Sequence, residues 1–322
     1  MIEAGSSIAI VGSRTLEAKE LHKKLVEMGV AKNQLMMFGN KVGPWQISIE
    51  DDAADIFLPL EKSYLDQAKV VFLCDLARES REAVVEWVRD NGALLVDLSA
   101  NMDRESGWSD PLLPREQLRN YGLEYILPEP EALYLAYLLK AIPRESLASV
   151  DCHIFIPASQ RGEAGIQELY NQSINLINFK DIPKDIFGRQ VAFNLVPVQE
   201  TGEGASFAKQ VRRFSGMEMR VTRVAVLTPV FHSMTLSAMI QVTDALEAEQ
   251  ALRRLIEPAG IFRLVGDEAW PAPTEAVALD TPVVGVRALS ETVLWLWLTY
   301  DNIWSGKVGL AARIFEQVRE DA

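Results

Sequence analysis

Residues 125–141 read YILPEPEALYLAYLLKA. A short apolar run, a Pro-Glu-Pro-Glu corner, and Leu133, Tyr137 and Lys140 at helical spacing predict a strand, a tight turn and a helix. Strand ends that open onto helix N-termini are the joints of an α/β fold. Free backbone N–H groups and the helix dipole favour anions there, so binding and catalysis concentrate at such joints. A thiolate or alkoxide placed here would have its charge supported. This joint carries Pro128, Glu129, Pro130 and Glu131 instead. None is a nucleophile of that kind, and the two prolines withdraw two N–H donors.

Toward the N-terminus the alternation of strand and helix continues. Residues 8–11 form an apolar run, Gly12-Ser13-Arg14-Thr15 follows, and a helix is expected over 16–28, with Leu21, Leu25 and Met28 on one face and Gly29 as its stop. This strand–glycine–helix opening has the layout of a dinucleotide-binding fold, which makes Gly12, Ser13, Arg14 and Thr15 the candidate cofactor-binding residues. The glycine fingerprint is thin, with Thr15 and Ala18 where further glycines would sit. Taken alone, the motif reads equally as a structural turn. Strands are expected over 35–38, 45–49, 68–73 and 93–98, a helix over 80–90 ended by Gly92, and a polar loop over 101–117. The strands are continuous apolar runs, so a mostly parallel sheet covered on both faces is predicted.

Past Pro143 the pattern changes. Strands are expected over 150–156, 220–230, 234–242, 283–287 and 293–298, with helices over 164–175, 246–256 and 307–318 and a long connector over 181–197. The segment around Phe231-His232-Ser233 is the most hairpin-like signal in the chain. A mixed, largely antiparallel sheet follows. Trp295, Trp297 and the leucines beside them are too many for one solvent face, so they cover a helix layer or form a subunit interface.

Bulk properties bound the function. The 322 residues allow two domains with real cores, and the composition, 48% hydrophobic and 24% charged, is that of an ordinary globular protein. A net charge of −13 with no basic block argues against nucleic acid or an anionic membrane as partner. Apolar runs such as residues 293–298 are too short to span a bilayer, and the first residues carry no basic signal-peptide region, so a cytoplasmic location is expected. Cys74 and Cys152 lie in apolar runs without metal spacing and read as buried free thiols.

Several motifs together resemble a known family. VDLSA at 96–100, GRQVAFNLVP at 188–197, TPVF at 228–231, WPAPTEAV at 270–277 and Asp301-Asn302 occur in the order found in aspartate-β-semialdehyde dehydrogenases, with the nearest resemblance to their Usg-type homologues. The resemblance implies a Rossmann-like N-terminal domain over 1–130, joined by a C-terminal helix from 303–322. It also implies a dimerisation domain over 131–302 that pairs through its sheet. Active members attack an aldehyde with a cysteine, pass hydride to NADP and release the acyl group to phosphate. Carried over position by position, the nucleophile falls on Pro130, the acid–base histidine on Met234, the substrate arginine on Leu227 and the loop glutamine on Ile156. The phosphate-binding arginine falls on Met102, and the cofactor loop on Cys74-Asp75-Leu76-Ala77; a phosphate-binding lysine falls near Lys209.

A thiohemiacetal needs a thiolate, a base and a charge clamp. The residues at these positions supply none, and the catalytic set is read as absent. The expectation is therefore a homodimeric homologue acting through protein contacts or regulation, with an unnamed protein partner. The alternatives are an NADP(H)-binding sensor without turnover and a divergent oxidoreductase built on His232 or on Glu129 and Glu131. Cys152 and His153 do not form a dyad, because adjacent strand residues point to opposite faces. Arg14 and Arg78 are read as solvated surface arginines with a nucleotide phosphate as the rival role.

Overall fold

The computed structural model describes residues 7–12, 15–42, 46–50, 53–99, 107–199, 202–266 and 270–319. The chain divides into two compact units, Met1–Pro128 with Lys307–Ala322, and Glu129–Gly306. Among the described residues no helix is long and apolar enough to cross a membrane.

The first unit opens with β1 (Ile8–Val11), every residue buried, and α1 (Leu16–Glu27), which turns Ala18, Leu21 and Leu25 inward. Next come β2 (Leu35–Val42), β3 (Gln46–Glu50), β4 (Ala53–Leu60), α2 (Lys62–Leu65) and β5 (Val70–Leu73). They are followed by α3 (Arg78–Asn91), β6 (Leu94–Asp97), α4 (Arg115–Leu118) and β7 (Glu124–Ile126). The strands stand in the order β3-β4-β2-β1-β5-β6-β7, all parallel except the β3–β4 pair. The predicted Rossmann-like sheet is present. Strand β4 went unread in the sequence, where AADIFLPL is interrupted by Asp55 and carries a proline before its last residue. Trp45, expected to start a strand, lies outside the described residues, and β3 begins at Gln46.

The second unit begins with α5 (Pro130–Leu139), then β8 (Leu147–Ile156), α6 (Gly162–Ile177), β9 (Val196–Pro197), α7 (Glu203–Ser215) and β10 (Arg220–Leu227). The remainder is β11 (Met234–Val242), α8 (Ala245–Ala259), β12 (Arg263–Leu264), β13 (Val283–Ala288) and β14 (Val293–Tyr300). The sheet order is β12-β13-β14-β11-β8-β10-β9, with two parallel pairings, β12–β13 and β8–β10, among antiparallel ones.

The predicted hairpin between β10 and β11 is not formed. Strand β8 lies between them, parallel to β10 and antiparallel to β11. Residues 228–233 bridge its end, and the carbonyls of Val230 and Phe231 accept the N–H groups of Ala158 and Ser159, just past β8. Two strand spacings of about 4.8 Å are easily crossed by so short a connector, so apolar run–turn–apolar run does not distinguish neighbours from next-but-one strands.

The two faces of this sheet differ. Leu294, Leu296 and Leu298 of β14 share the inner face with Leu236, Ala238 and Ile240 of β11 and with Val150, Cys152 and Ile154 of β8, all buried. Helix α8 packs on β11, β13 and β14, α7 on β10, and α5 against both helices. Helix α5 is thus buried on nearly all sides, with only Tyr137 half-buried and Lys140 at its end exposed. The helix is apolar nearly all round, as a core helix requires. Helix α8 runs through Pro258 to Ala259, past the expected end at 256, and stops at left-handed Gly260.

The outer face carries the tryptophans. Trp270 stacks on Trp295 with ring centroids 4.2 Å apart, and Trp297 donates its indole N–H to the Pro271 carbonyl at 2.8 Å. A Cβ at Gly285 would sit 2.9 Å from the Trp270 ring, which is why glycine stands under it. The leucines therefore face helices, while the tryptophans hold the WPAP segment flat on the other side.

The last helix, α9 (Val308–Val318), belongs to the first unit, where it packs on α1 and α4 and sets Phe315 edge-on to Phe72.

Candidate functional site

Helix α5 starts at the corner that organised the sequence reading. Pro130 occupies its first turn, where a missing N–H costs nothing, and Glu129 is the N-cap residue without a side-chain cap bond. The Glu129 backbone N–H donates to Gln210 Oε1 at 2.7 Å. Both carboxylates flanking Pro130 are engaged by groups far away in sequence. Arg223 Nη1 lies 2.6 Å from Glu129 Oε2 and 3.9 Å from Glu131 Oε1. Tyr300 donates its hydroxyl to Glu131 Oε2 at 2.8 Å. Burial, and then the Glu131 charge, push the Tyr300 phenol well above its ordinary range. The guanidinium of Arg223 also sits over the Phe207 ring, 5.3 Å from its centroid. Two carboxylates, one guanidinium and one phenol thus cluster around the helix N-terminus.

The neighbouring positions of the sequence reading are apolar. Met234 is the first residue of β11, buried and in register with Tyr300. Leu227 ends β10 in register with Ile156 at the end of β8. Leu227 is buried, and Ile156 packs beside it on a cluster of Ala158, Leu169, Val191, Ala192 and Val196. Just before Met234, Ser233 is buried with φ +77°, a left-handed backbone unusual for a residue with a side chain. Its N–H donates to Asn302 Oδ1 at 3.0 Å, where the Ser159 hydroxyl also donates at 3.1 Å. The Ser233 hydroxyl is buried with no hydrogen-bond partner among the described residues. Asp301 takes the N–H groups of Ile303 and Trp304 on one oxygen and that of Ala278 on the other, so the Asp301-Asn302 motif is a turn organiser.

The GRQVAFN segment is held by α6. Glu168, buried, accepts the N–H groups of Ile186 at 2.7 Å and Phe187 at 3.0 Å. One turn on, Gln172 donates to the carbonyls of Pro183 and Arg189 and accepts from Val191 and Ala192. This polar clamp fixes an irregular connector that would otherwise have nowhere to put its buried backbone groups.

In the first unit, Gly12 has φ +85°, and a Cβ there would lie 2.7 Å from the Asp75 carbonyl oxygen. Glycine is thus required by its own backbone conformation and by the close approach of the β5 end. Thr15 caps α1, its hydroxyl accepting from Ala18 N at 3.2 Å and donating to the Gly12 carbonyl at 3.0 Å. Ser13, Arg14 and Met102 lie outside the described residues. Arg78 pairs with Glu82 on an exposed face, and Arg81 is buried against Asp97 and Ser99.

The other sequence candidates separate. Cys152 is buried on the inner face, its thiol pushed up to about 12 chiefly by burial, while His153 is exposed on the other side. Burial likewise pushes the Cys74 thiol far up. His232 is half-buried in the connector before Ser233. Lys209 is exposed on α7, a helix the sequence reading passed over. Among the described residues no group of three or more His, Cys, Asp or Glu is placed to hold a metal ion. Arg223, Gln210 and Tyr300 were missed as members of the α5 cluster. The available signal was an arginine in an otherwise apolar inward row, Val221, Ala225 and Leu227.

Comparison with known proteins bears on the same elements. Residues 139–305, just over half of the chain, match the family described as semialdehyde dehydrogenase, dimerisation domain. An aspartate-semialdehyde dehydrogenase of Rickettsia bellii is 28% identical over 216 residues, a stretch covering 62% of this chain and 64% of that protein. A USG-1 protein homolog of Pseudomonas aeruginosa is 27% identical over 250 residues, 71% of this chain and 73% of the other. Among solved structures, a probable aspartate-semialdehyde dehydrogenase from Pseudomonas aeruginosa superposes with a TM-score of 0.82 at 20% identity, covering 97% of each chain. Aspartate semialdehyde dehydrogenase II from Vibrio cholerae, complexed with ASA, also reaches 0.82, at 18% identity, over 97% of this chain and 98% of that one. Matched over more than half of its length, the chain belongs to the semialdehyde dehydrogenase family.

Proposed function

We propose that this chain is a catalytically inactive member of its family and acts as a homodimeric interaction or regulatory protein, paired through the unit Glu129–Gly306. The observation that carries the reading is the α5 N-terminus. Where the family resemblance puts a cysteine thiolate stands Pro130, flanked by two carboxylates already bound to Arg223 and Tyr300. Acyl chemistry at this point would build negative charge beside Glu129 and Glu131, the wrong sign of field for an oxyanion. The base position is a buried methionine, and Leu227 and Ile156 offer no charge for a substrate carboxylate.

NADP is the cofactor that the resemblance implies, and the described residues fit it poorly. The freedom of Gly12 is spent on packing against Asp75, and the Thr15 hydroxyl on capping α1. Asp75 is exposed at the end of β5 and Glu17 lies in the first turn of α1, so two acids stand where a pyrophosphate would have to approach. The sensor reading is correspondingly the weaker one.

The test uses the full chain. NADP-dependent oxidation of aspartate semialdehyde in phosphate buffer is expected to stay at the uncatalysed rate, and calorimetric titration with NADPH to give no heat of binding up to millimolar. Saturable turnover would overturn the inactive reading. Micromolar NADPH binding without turnover would establish the sensor instead.

A further inference from the structure

We propose that the crevice at the carboxyl edge of the first unit's sheet binds a free α-amino acid, its ammonium on Asp75 and Glu17 and its carboxylate on Lys307. The inference deepens the regulatory reading above by naming a ligand class. Every residue it uses belongs to the unit formed by Met1–Pro128 with Lys307–Ala322. The place follows from the topology. Strand β1 stands between β2 and β5, so the chain leaves it for β2 on one side and comes back to β5 on the other. In an open parallel sheet, ligands enter outside the strand ends at such a reversal. Here those ends are Gly12 after β1, Cys74 and Asp75 after β5, and Leu98 after β6.

The ligand class follows from the charges at this edge. Lys307 is half-buried at the start of α9, and its Nζ donates to the Leu98 carbonyl at 2.8 Å. An ammonium has three donors, and this one forms no ion pair among the described residues. Cations elsewhere in the unit are neutralised: Lys62 by Asp90, Arg78 by Glu82, Arg81 by Asp97 and Arg89 by Glu124. Asp75, exposed, and Glu17, half-buried in the first turn of α1, likewise make no ion pair or side-chain hydrogen bond among the described residues. Cys74 lies buried between the two signs. Burial is the main cause that raises its thiol; the Glu17 and Asp97 charges add to the rise and the Lys307 charge opposes it. A pyrophosphate meets the wrong sign at Asp75 and Glu17, whereas a zwitterion meets the right sign at both of its ends. Such attraction is several times stronger in a half-buried crevice than in open water. Thr15 already caps α1, so the acids and the lysine, and not the helix N-terminus, are the ligand's partners.

The test is a thermal-unfolding screen of the full chain against the common L-amino acids, each added alone at about 10 mM. At least one is expected to raise the midpoint saturably, and calorimetric titration with it to give one site per chain. Its N-acetyl and carboxamide derivatives each lack one of the two charges and should bind at least roughly tenfold more weakly. Lys307→Met and Asp75→Asn should each weaken binding by roughly tenfold or more while keeping a cooperative unfolding transition. If Lys307→Met does not fold, Asp75→Asn, at an exposed side chain, carries the test. The proposal is overturned if no amino acid shifts the midpoint, or if one does and binds the variants as tightly as the wild type. An N-acetyl derivative that binds as well as its parent also overturns it, because the acids then do no work. Any of these failures leaves the inactive reading standing, since NADP-dependent turnover decides that separately.

Discussion

Replacing Gln172 by alanine should release the connector from α6. Gln172 is fully buried, and its carboxamide makes four hydrogen bonds to one segment. It donates to the Pro183 and Arg189 carbonyls at 2.8 and 3.0 Å and accepts from Val191 and Ala192 N–H at 2.8 and 3.1 Å. The four bonds are unequal in consequence. Pro183 is half-buried and Arg189 exposed, so water takes over their carbonyls at small cost. Val191 and Ala192 are fully buried, and each orphaned N–H costs about 1–3 kcal/mol. Two such groups with the small void left by the side chain come to roughly 3–4 kcal/mol. For a unit of this size each kcal/mol lowers the midpoint by about 2–4 °C, so a fall of about 10 °C is expected. Calorimetry measures the shift, and hydrogen exchange should show the Val191 and Ala192 amides losing protection while β8 and β11 keep theirs. Gln172→Glu, which keeps the acceptor but sets a charge against two carbonyls, should be destabilised at neutral pH and recover partly in acid. The reasoning fails if Gln172→Ala costs under roughly 1 kcal/mol with those two amides still protected.

Other consequences are as direct. Ser233→Gly should stabilise the protein by about 1 kcal/mol: a left-handed non-glycine residue costs about 1–2 kcal/mol and the added freedom of the unfolded glycine returns about 0.5–1, while the buried, unpartnered hydroxyl also disappears. A lower midpoint in urea would show that the serine makes a contact worth more than its strain. Arg223→Met leaves half-buried Glu129 and buried Glu131 without their guanidinium and should cost about 3 kcal/mol, most of it recovered when Glu129→Gln is added; equal losses in the two variants would contradict this. Alkaline pH should unfold the chain through its thiols. Burial raises Cys152 to about 12 and Cys74 further, so in the folded state both keep protons that the unfolded chain releases near pH 9. Stability is full below that pH and falls by roughly 2–3 kcal/mol per unit above it, with Tyr300 adding to the slope past pH 10. Urea titrations at pH 8 and pH 10 measure this, and equal midpoints would refute it.

The fold was legible where local signals agree with the tertiary answer. Continuous apolar runs at 8–11, 70–73 and 94–96 fit strands buried on both faces, and Gly29 and Gly92 both stop helices in left-handed conformations. It was illegible where pairing depends on a distant strand. Nothing within residues 220–242 says that β8 will stand between β10 and β11, because the bonds that exclude the hairpin come from Ala158 and Ser159. The candidate site divides the same way. Motif order alone singled out Pro130 and Met234, but nothing local to the glutamates beside Pro130 announced Arg223 and Tyr300, which arrive from two other strands. Likewise GRQVAFN was recognisable as a motif without any hint that its purpose is to receive Glu168 and Gln172. Glu168 and Gln172 look like ordinary surface residues of an amphipathic helix until the connector is in place.

The α5 N-terminus also argues that the lost chemistry is not one substitution away. A cysteine in the first turn of a helix ordinarily has a lowered pKa, because the dipole and free N–H groups favour its thiolate. Pro130→Cys would enter a different field. Pro130 is buried between Glu129 and Glu131, and Arg223 is already 2.6 Å from Glu129. Burial and two carboxylates both disfavour the thiolate, and Met234 cannot take a proton in place of a base. The introduced thiol should therefore titrate above a free cysteine's value of about 8.5 and react with iodoacetamide at pH 7.5 more slowly than glutathione does, in a chain whose two native thiols stay silent. Adding Glu129→Gln and Glu131→Gln should raise that rate, because the helix dipole then acts without opposition. A single Pro130→Cys variant that alkylates faster than glutathione would mean that the dipole outweighs the glutamates. In that event the site's electrostatics would still suit a nucleophile, and the case for an inactive protein would rest on the absent residues alone.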